Sequence, residues 1–499
     1  MGTQLLNEKR IINRNIIESF EKNYWSSIKM RNYITQHLRL FILTILLGVF
    51  PQIGVASTPF LAFSDLITGP DTGVGDGLGS GVIVTLWGQG LNSSQGSGKV
   101  FFTDSAGVKR EAAHVYYWKN SDGALPSGPA NLYESHKMQE IAFSIPDSAD
   151  GLGAIHVESS GSSNKLPFTV RSGNIYHIKS TGSDSANGSW GTPWKTVGHA
   201  DGTASAGSTL YVHDVDTGST SSKNGIYWSN SAASSSLAAQ FGITAYPGFH
   251  PSVTAQIGIS TYNTDSLVIS KFDVYASNYT SVDANGQPIG SVISTVANTT
   301  GIQTSKDGRT VANRIGDIVG GCASQYQGAI SGAAKFHDYV SNHKIFGNEV
   351  YDYGCNGSTK LHHTTYMTIR SRGKDLQLAP WEFGYNYLHG NKAKFGIHQF
   401  DQDEGCGDLT GKIRIHNNVV VDQAGAGISV GSQCGWSMDV EIENNVLINV
   451  GLAADWDGVN PDSSNGPENG GISIRDSGLL GTMYIRNNLI MGWNDDGAT

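Results

Sequence analysis

Ile413-Arg-Ile-His-Asn-Asn-Val-Val, Val440-Glu-Ile-Glu-Asn-Asn-Val-Leu and Met483-Tyr-Ile-Arg-Asn-Asn-Leu-Ile are versions of one phrase. Apolar residues alternate, an Asn-Asn pair follows, and a second apolar run begins. Shorter echoes stand upstream at Ile345-Phe-Gly-Asn-Glu-Val and Tyr385-Asn-Tyr-Leu-His-Gly. Alternation gives a strand with one buried face, and the polar pair gives a bend before the next strand. A unit this short cannot bury its apolar face alone, so successive copies must stack. The second Asn of each pair can then align with its neighbours and bond along the stack, satisfying polar atoms at the turn. The expected fold is mainly β, a right-handed parallel β-helix. The repeat is structural, so chemistry must be sought in what interrupts it.

The rest of the composition agrees. The chain has 499 residues, of which 63 are Gly and only 15% are charged. That suits a turn-rich β architecture with room for two or three domains. A formal net charge of −10 argues against nucleic acid, whose phosphates require a basic surface. Leu40 to Phe50 is apolar apart from Thr44, Arg31 and Arg39 precede it, and Gly54-Val-Ala-Ser offers small residues for cleavage near Ala56. Residues 1–56 therefore read as an export signal, with Met30 an alternative start and no stable membrane insertion once the signal is removed. The expected location is secreted, periplasmic or cell surface. The cysteines, Cys322, Cys355, Cys406 and Cys434, allow three pairings, among which 322–355 and 406–434 would link adjacent coils. Zinc-type spacing is absent.

Residues 57–172 read as a small β-sandwich, from short alternating runs separated by Gly, Asn and Pro turns. The phrases Gly88-Gln-Gly-Leu-Asn and Ile145-Pro-Asp resemble the IPT/TIG immunoglobulin-like family. Trp87, Tyr116, Tyr117 and Trp118 there are expected as core packing ahead of sugar contact. Residues 173–499 form the solenoid. Tyr176-His-Ile-Lys-Ser-Thr-Gly-Ser-Asp-Ser-Ala-Asn-Gly, Thr192-Pro-Trp-Lys-Thr and Ala206-Gly-Ser-Thr-Leu-Tyr-Val resemble the opening of secreted carbohydrate-active β-helix proteins, polysaccharide lyases among them. The resemblance implies a capping helix near the Pro-Trp and a first coil at the Gly-Ser. Gly/Ser/Thr-rich residues 275–335 are expected as long loops off the coils. The chain stops after an Asn-Asn phrase with no evident cap, so the expectation is either a poor cap made by the last residues or a fragment of a longer chain.

No phosphate loop, His-Glu-x-x-His or Gly-x-Ser-x-Gly motif occurs. What remains is a dense titratable stretch from Lys360 to Asp408. Aligning Gly396-Ile-His-Gln with Gly427-Ile-Ser-Val and Gly471-Ile-Ser-Ile, and taking the isoleucines as inward, stacks Tyr366, His398, Ser429 and Ser473 on one outward face. Arg475 falls on the same side. Such a face suits β-elimination from a uronate polymer: a base for the α-proton, an acid for the leaving oxygen, and a cation for the enolate-like intermediate. His398, Tyr366 and Arg370 or Arg475 are the candidates. In the lyases the chain resembles, a Lys or Arg base works beside carboxylate-bound calcium, which implies Lys374 or Lys394 with Asp401, Asp403 and Glu404, hard oxygen ligands suited to Ca2+. His363, Trp381 and Lys394 are candidate substrate contacts.

The expected function is thus a secreted enzyme depolymerising an acidic polysaccharide by elimination. The alternatives are a glycoside hydrolase on the same scaffold, which needs a carboxylate pair at controlled separation, and a non-catalytic glycan-binding or adhesive surface protein.

Overall fold

The computed structural model describes residues 58–215, 224–230, 239–255, 257–261, 266–276, 293–294, 308–316, 328–335, 343–354, 363–370, 381–393, 395–401, 412–432, 439–451, 470–476 and 481–492. The leader and all four cysteines lie outside these residues, as do 493–499. Among the described residues no helix is long and apolar enough to cross a membrane.

Between Phe60 and Val170 two mainly antiparallel sheets face each other. One orders its strands Phe60–Ser64, Ile83–Gln89, Gln139–Ser144, His114–Asn120; the other runs Thr68–Gly69, Leu166–Val170, Gly151–Glu158, Lys99–Asp104, Lys109–Glu111. Val84, Leu86, Phe102, Phe143, Val157 and Phe168 fill the space between them, each at most 1% exposed. Trp87, Tyr117 and Trp118 are buried, and Tyr116 hydrogen-bonds Asp76, so these aromatics pack the unit. Ile83, Thr85 and Trp87 are 0% exposed although they alternate with Val84 and Leu86. Both faces of this strand are therefore covered, the second by the solenoid.

From Ile175 to Met491 the strands are parallel and form three sheets of ten, eight and eight. Sheet A is ten-stranded and includes Arg309–Val311, Lys344–Phe346, Trp381–Gly384, Lys412–His416, Asp439–Glu443 and Met483–Arg486. Sheet B follows it in each coil, with Asp273–Ala276, Arg314–Gly316, Glu349–Tyr351, Tyr387–His389, Val419–Gln423 and Val446–Val450. Sheet C completes the turn, with Gly328–Lys335, His363–Arg370, Ile397–Asp401, Ile428–Ser432 and Ile472–Asp476. This is a parallel β-helix. Inward columns are apolar: Val274, Ile315, Val350, Leu388, Val420 and Leu447 stack at no more than 1% exposure. Trp194, Val197 and Ala200 of the helix Val197–Thr203 and its approach join the same core; the helix is capped by Thr196, whose hydroxyl accepts from the His199 N–H. Within 275–335, where long loops are expected, the described residues include coil strands, and 277–292, 295–307 and 317–327 lie outside the described residues. The stretch supplies Arg309–Val311, Arg314–Gly316 and Gly328–Lys335 as coil strands, because Val311, Ile315 and Ile330 keep the inward alternation despite the surrounding Gly and Ser.

The asparagine pairs divide two tasks. The first residue of each turn takes a left-handed backbone: φ is 52° at Ala312, 61° at Gly347, 60° at Tyr385, 55° at Asn417, 58° at Asn444 and 55° at Asn487. Gly and Asn tolerate this region best, which accounts for the first Asn. The second is a ladder rung. Each amide nitrogen donates to the next side-chain oxygen, Asn313 to Asn348 at 3.0 Å, Asn348 to Asn386 at 3.0 Å, Asn386 to Asn418 at 2.9 Å, Asn418 to Asn445 at 2.9 Å and Asn445 to Asn488 at 2.9 Å. The same oxygens accept backbone N–H groups from the previous rung.

The antiparallel unit lies along the outer side of sheet A and its Asn turns. The Tyr211 hydroxyl donates to the Ile83 carbonyl at 2.9 Å. Lys271 Nζ lies 3.1 Å from the Asp65 carboxylate and donates to Thr85 at 2.7 Å, with side chains 3% and 0% exposed for the ion pair. Arg309 donates to the carbonyls of Asp65 and Ser64. Glu349 accepts from the Asn131 N–H, and the His136 ring bonds the Asn417 carbonyl. Phe63 and Trp87 pack with Phe346 and Tyr385. These contacts follow one another up the coils from Tyr211 to Asn417.

Candidate active site

Sheet C aligns because its coils begin alike. The Ile397 N–H donates to the Gly427 carbonyl and the Ile428 N–H to the Gly471 carbonyl. A Cβ at Gly396 would sit 2.5 Å from the Gly427 oxygen, so the close approach needs glycine there. With that start fixed, Met367 pairs Gln399, and His398 pairs Ser429, which pairs Ser473. Tyr366 therefore lies opposite His398, and Ser331 precedes it on the neighbouring coil. The expected column of Tyr366, His398, Ser429 and Ser473 is the one the strands form.

Its exposure differs from expectation. Tyr366 is partly exposed, whereas His398 and His363 are each 3% exposed. The His398 ring lies 4.5 Å from His363, 4.5 Å from Phe395, 5.3 Å from Tyr366 and 5.8 Å from Phe400 between centroids. Alternation puts His398 on the outer face, but rings from the start of its own strand and from the previous coil close over it. Tyr366 is thus the member a polymer can reach, with two imidazoles behind it. His363, expected as a substrate contact, is instead buried against Tyr366. Thr365 ties the coils together: its hydroxyl donates to the Gly396 carbonyl at 3.1 Å and accepts from the His398 N–H at 3.3 Å. Neither Thr365 nor Phe395 carried any signal in the sequence beyond its place beside a candidate.

The other candidates disperse. Trp381 is 3% exposed inside the solenoid core with Phe383, so it packs the interior and is not a groove aromatic. Glu382, its neighbour, faces out from sheet A into an ion-pair ladder with Lys344, Arg414 and His416. Burial alone would raise its carboxyl, but the bonds from His416 and Lys344 bring it down to about 2. Neighbouring rungs add Lys412 and Arg414 to Glu441, and Arg486 to Glu443. His389 stands on sheet B, 2.9 Å from Glu349. The titratable stretch is dense in sequence but divided among three faces.

Arg370 ends the strand of Tyr366, opposite Lys335, and keeps Tyr366's alternation. Arg475 is opposite Gly431, two residues beyond Ser473. At about 4.8 Å per coil it stands roughly 14 Å up the stack from Tyr366, beyond a single sugar unit. Asp401 shares the alternation of Ile397 and Gln399, whose side chains are buried in the core. Asp403, Glu404, Lys374 and Lys394 lie outside the described residues. Among the described residues no group of three or more His, Cys, Asp or Glu could hold a metal ion.

No protein-family model matches the chain, and no curated protein matches it. Among solved structures, a rhamnogalacturonan lyase is similar over 56% of this chain and 81% of that chain, at 13% identity and a TM-score of 0.29. A likeness that low adds nothing to the argument from the strands themselves.

Proposed function

We propose that sheet C carries the active site of an exported enzyme that cleaves an acidic, uronate-containing polysaccharide by β-elimination. The observation that supports this is the cross-coil pair: a reachable Tyr366 with His398 beside it, ring centroids 5.3 Å apart, on the outer face of a parallel sheet. Elimination breaks the C–H bond α to the carboxylate and the C–O bond to the leaving sugar, and forms a C=C bond between the two carbons. In this reading Tyr366 takes the α-proton and returns a proton to the oxygen of the departing sugar, serving as base and then acid, so the bonds broken and formed balance. His398, behind it, supplies the polar environment that tunes its proton affinity. Arg370, on the same alternation, is the cation proposed for the carboxylate. The antiparallel unit serves in this reading as an IPT/TIG-like accessory.

The test is ultraviolet absorbance of the conjugated product on a panel of uronate polysaccharides, with and without calcium. Turnover abolished in Tyr366→Phe supports elimination at this face. New reducing ends without absorbance would replace it with hydrolysis. Affinity without any turnover would replace it with a glycan-binding protein.

A further inference from the structure

We propose that His363 is a positioning residue that holds the Tyr366 ring in its working orientation, acting through its flat face and not through proton transfer. This rests on the reading of Tyr366 above. The His363 ring is near-parallel to two neighbours: Phe395 at 5.4 Å and 15°, and Tyr366 at 4.7 Å and 25°. Its third neighbour, His398, is 4.5 Å away and tilted by 59°. The imidazole is 3% exposed, so it does not face a polymer, yet it touches both members of the catalytic pair.

The backbone builds this slot. Thr364 N–H donates to the Phe395 carbonyl at 2.8 Å, which fixes Phe395 against the start of the His363 strand. The residue opposite His363 on the previous coil is Gly328. A Cβ at Gly328 would lie 2.9 Å from the Tyr366 nitrogen, so the strand stays close only because that position is glycine. Offset aromatic pairs at these spacings favour a fixed ring plane, and a reacting group displaced by about 1 Å can lose a hundredfold in rate.

Two substitutions separate the ring's shape from its chemistry. His363→Phe preserves the stacked ring, and His363→Leu fills the space without one. The expected result is kcat within about threefold of wild type for His363→Phe, against a loss of about tenfold or more for His363→Leu, with KM little changed in both. Equal losses in the two variants would assign His363 a role through its imidazole nitrogens and overturn the proposal, as would full activity in His363→Leu. If the wild-type protein eliminates no uronate polymer, the functional reading fails separately. The positioning claim is then judged by NMR of ring-labelled tyrosine, where Tyr366 should flip slowly in wild type and His363→Phe but rapidly in His363→Leu. The same flip rate in all three would refute it.

Discussion

Replacing Asn418 with Ala removes one rung from the middle of the asparagine ladder. Asn418 is 0% exposed. Its oxygen accepts from the Asn386 N–H at 3.1 Å and the Asn386 amide at 2.9 Å, and its own amide donates to the Phe383 carbonyl at 3.0 Å and the Asn445 oxygen at 2.9 Å. After truncation the Asn386 N–H loses its ladder partner. The Asn386 amide keeps its bond to the Ile345 carbonyl, and the Asn445 oxygen still accepts from the residue 418 N–H. An orphaned buried group costs about 1–3 kcal/mol and each of the three other lost bonds about 0.5–1.5 kcal/mol, so the sum is about 2.5–7.5 kcal/mol. Urea unfolding followed by tryptophan fluorescence reads this as a lowered midpoint. Asn417→Gly is the matched control, since φ there is 55°, a conformation glycine adopts freely; the bond between its Oδ1 and the His416 ring is lost, so its cost should stay within about 1.5 kcal/mol. A loss below about 1 kcal/mol for Asn418→Ala would mean that water or a neighbour replaces the rung. Equal losses at 417 and 418 would refute the division of labour within the pair.

Gln399 is 0% exposed in the core column between Met367 and Val430, and among the described residues neither amide atom has a hydrogen-bond partner. Gln399→Leu should therefore stabilise the protein by about 1–3 kcal/mol, and a lower melting temperature would contradict that. Lys271→Met leaves Asp65 buried without its ion partner and should cost about 3–5 kcal/mol; an unchanged denaturation midpoint would show that the pair is not closed to water. Burial lowers His136 and His177 to about 4, and burial with the neighbouring His177 and Lys179 lowers His213 to about 2. Each is neutral when folded and, from an ordinary value of 6.5, takes a proton more readily when unfolded. The stability they contribute is full above pH 6.5 and falls as pH drops toward 4, by several kcal/mol on the order of one unit per 1.4 kcal/mol. Denaturant midpoints flat between pH 7 and 4.5 would refute this.

The solenoid was legible because its signals are local and repeated. Asn417-Asn418 and Asn444-Asn445 announce both the left-handed residue and the rung, and the Gly-Ile phrases fix the register that brings Tyr366 beside His398. Asn313 lacks a preceding Asn, with Ala312 in the left-handed position, so the sequence pattern there reads as loop. The burial of His398 was not legible, because it depends on rings contributed by a neighbouring coil at angles that alternation does not encode. Trp381 was readable in principle: Trp381-Glu382-Phe383 alternates, with its apolar members inward. Glu382, His389 and His398 looked like one cluster since a chain winding through three sheets can place near neighbours in sequence on different faces. The contacts of Asp65, Ser64 and Thr85 with Lys271 and Arg309 join residues 186 to 245 positions apart. No single-sequence pattern reports such a pairing.

The run of contacts from Tyr211 to Asn417 along the antiparallel unit has a mechanical consequence. A bare solenoid behaves as a one-dimensional array in which each coil leans only on its neighbours, so it can fray from any weak point. Fastening many coils to one stiff strip makes them open together or not at all, while among the described residues no such contact reaches the coils around Val440 and Met483. Amide hydrogen exchange should therefore be slow and uniform across the fastened coils, then quicken in a gradient beyond Asn417. Under a pulling force applied along the axis, the fastened block should yield in a single step.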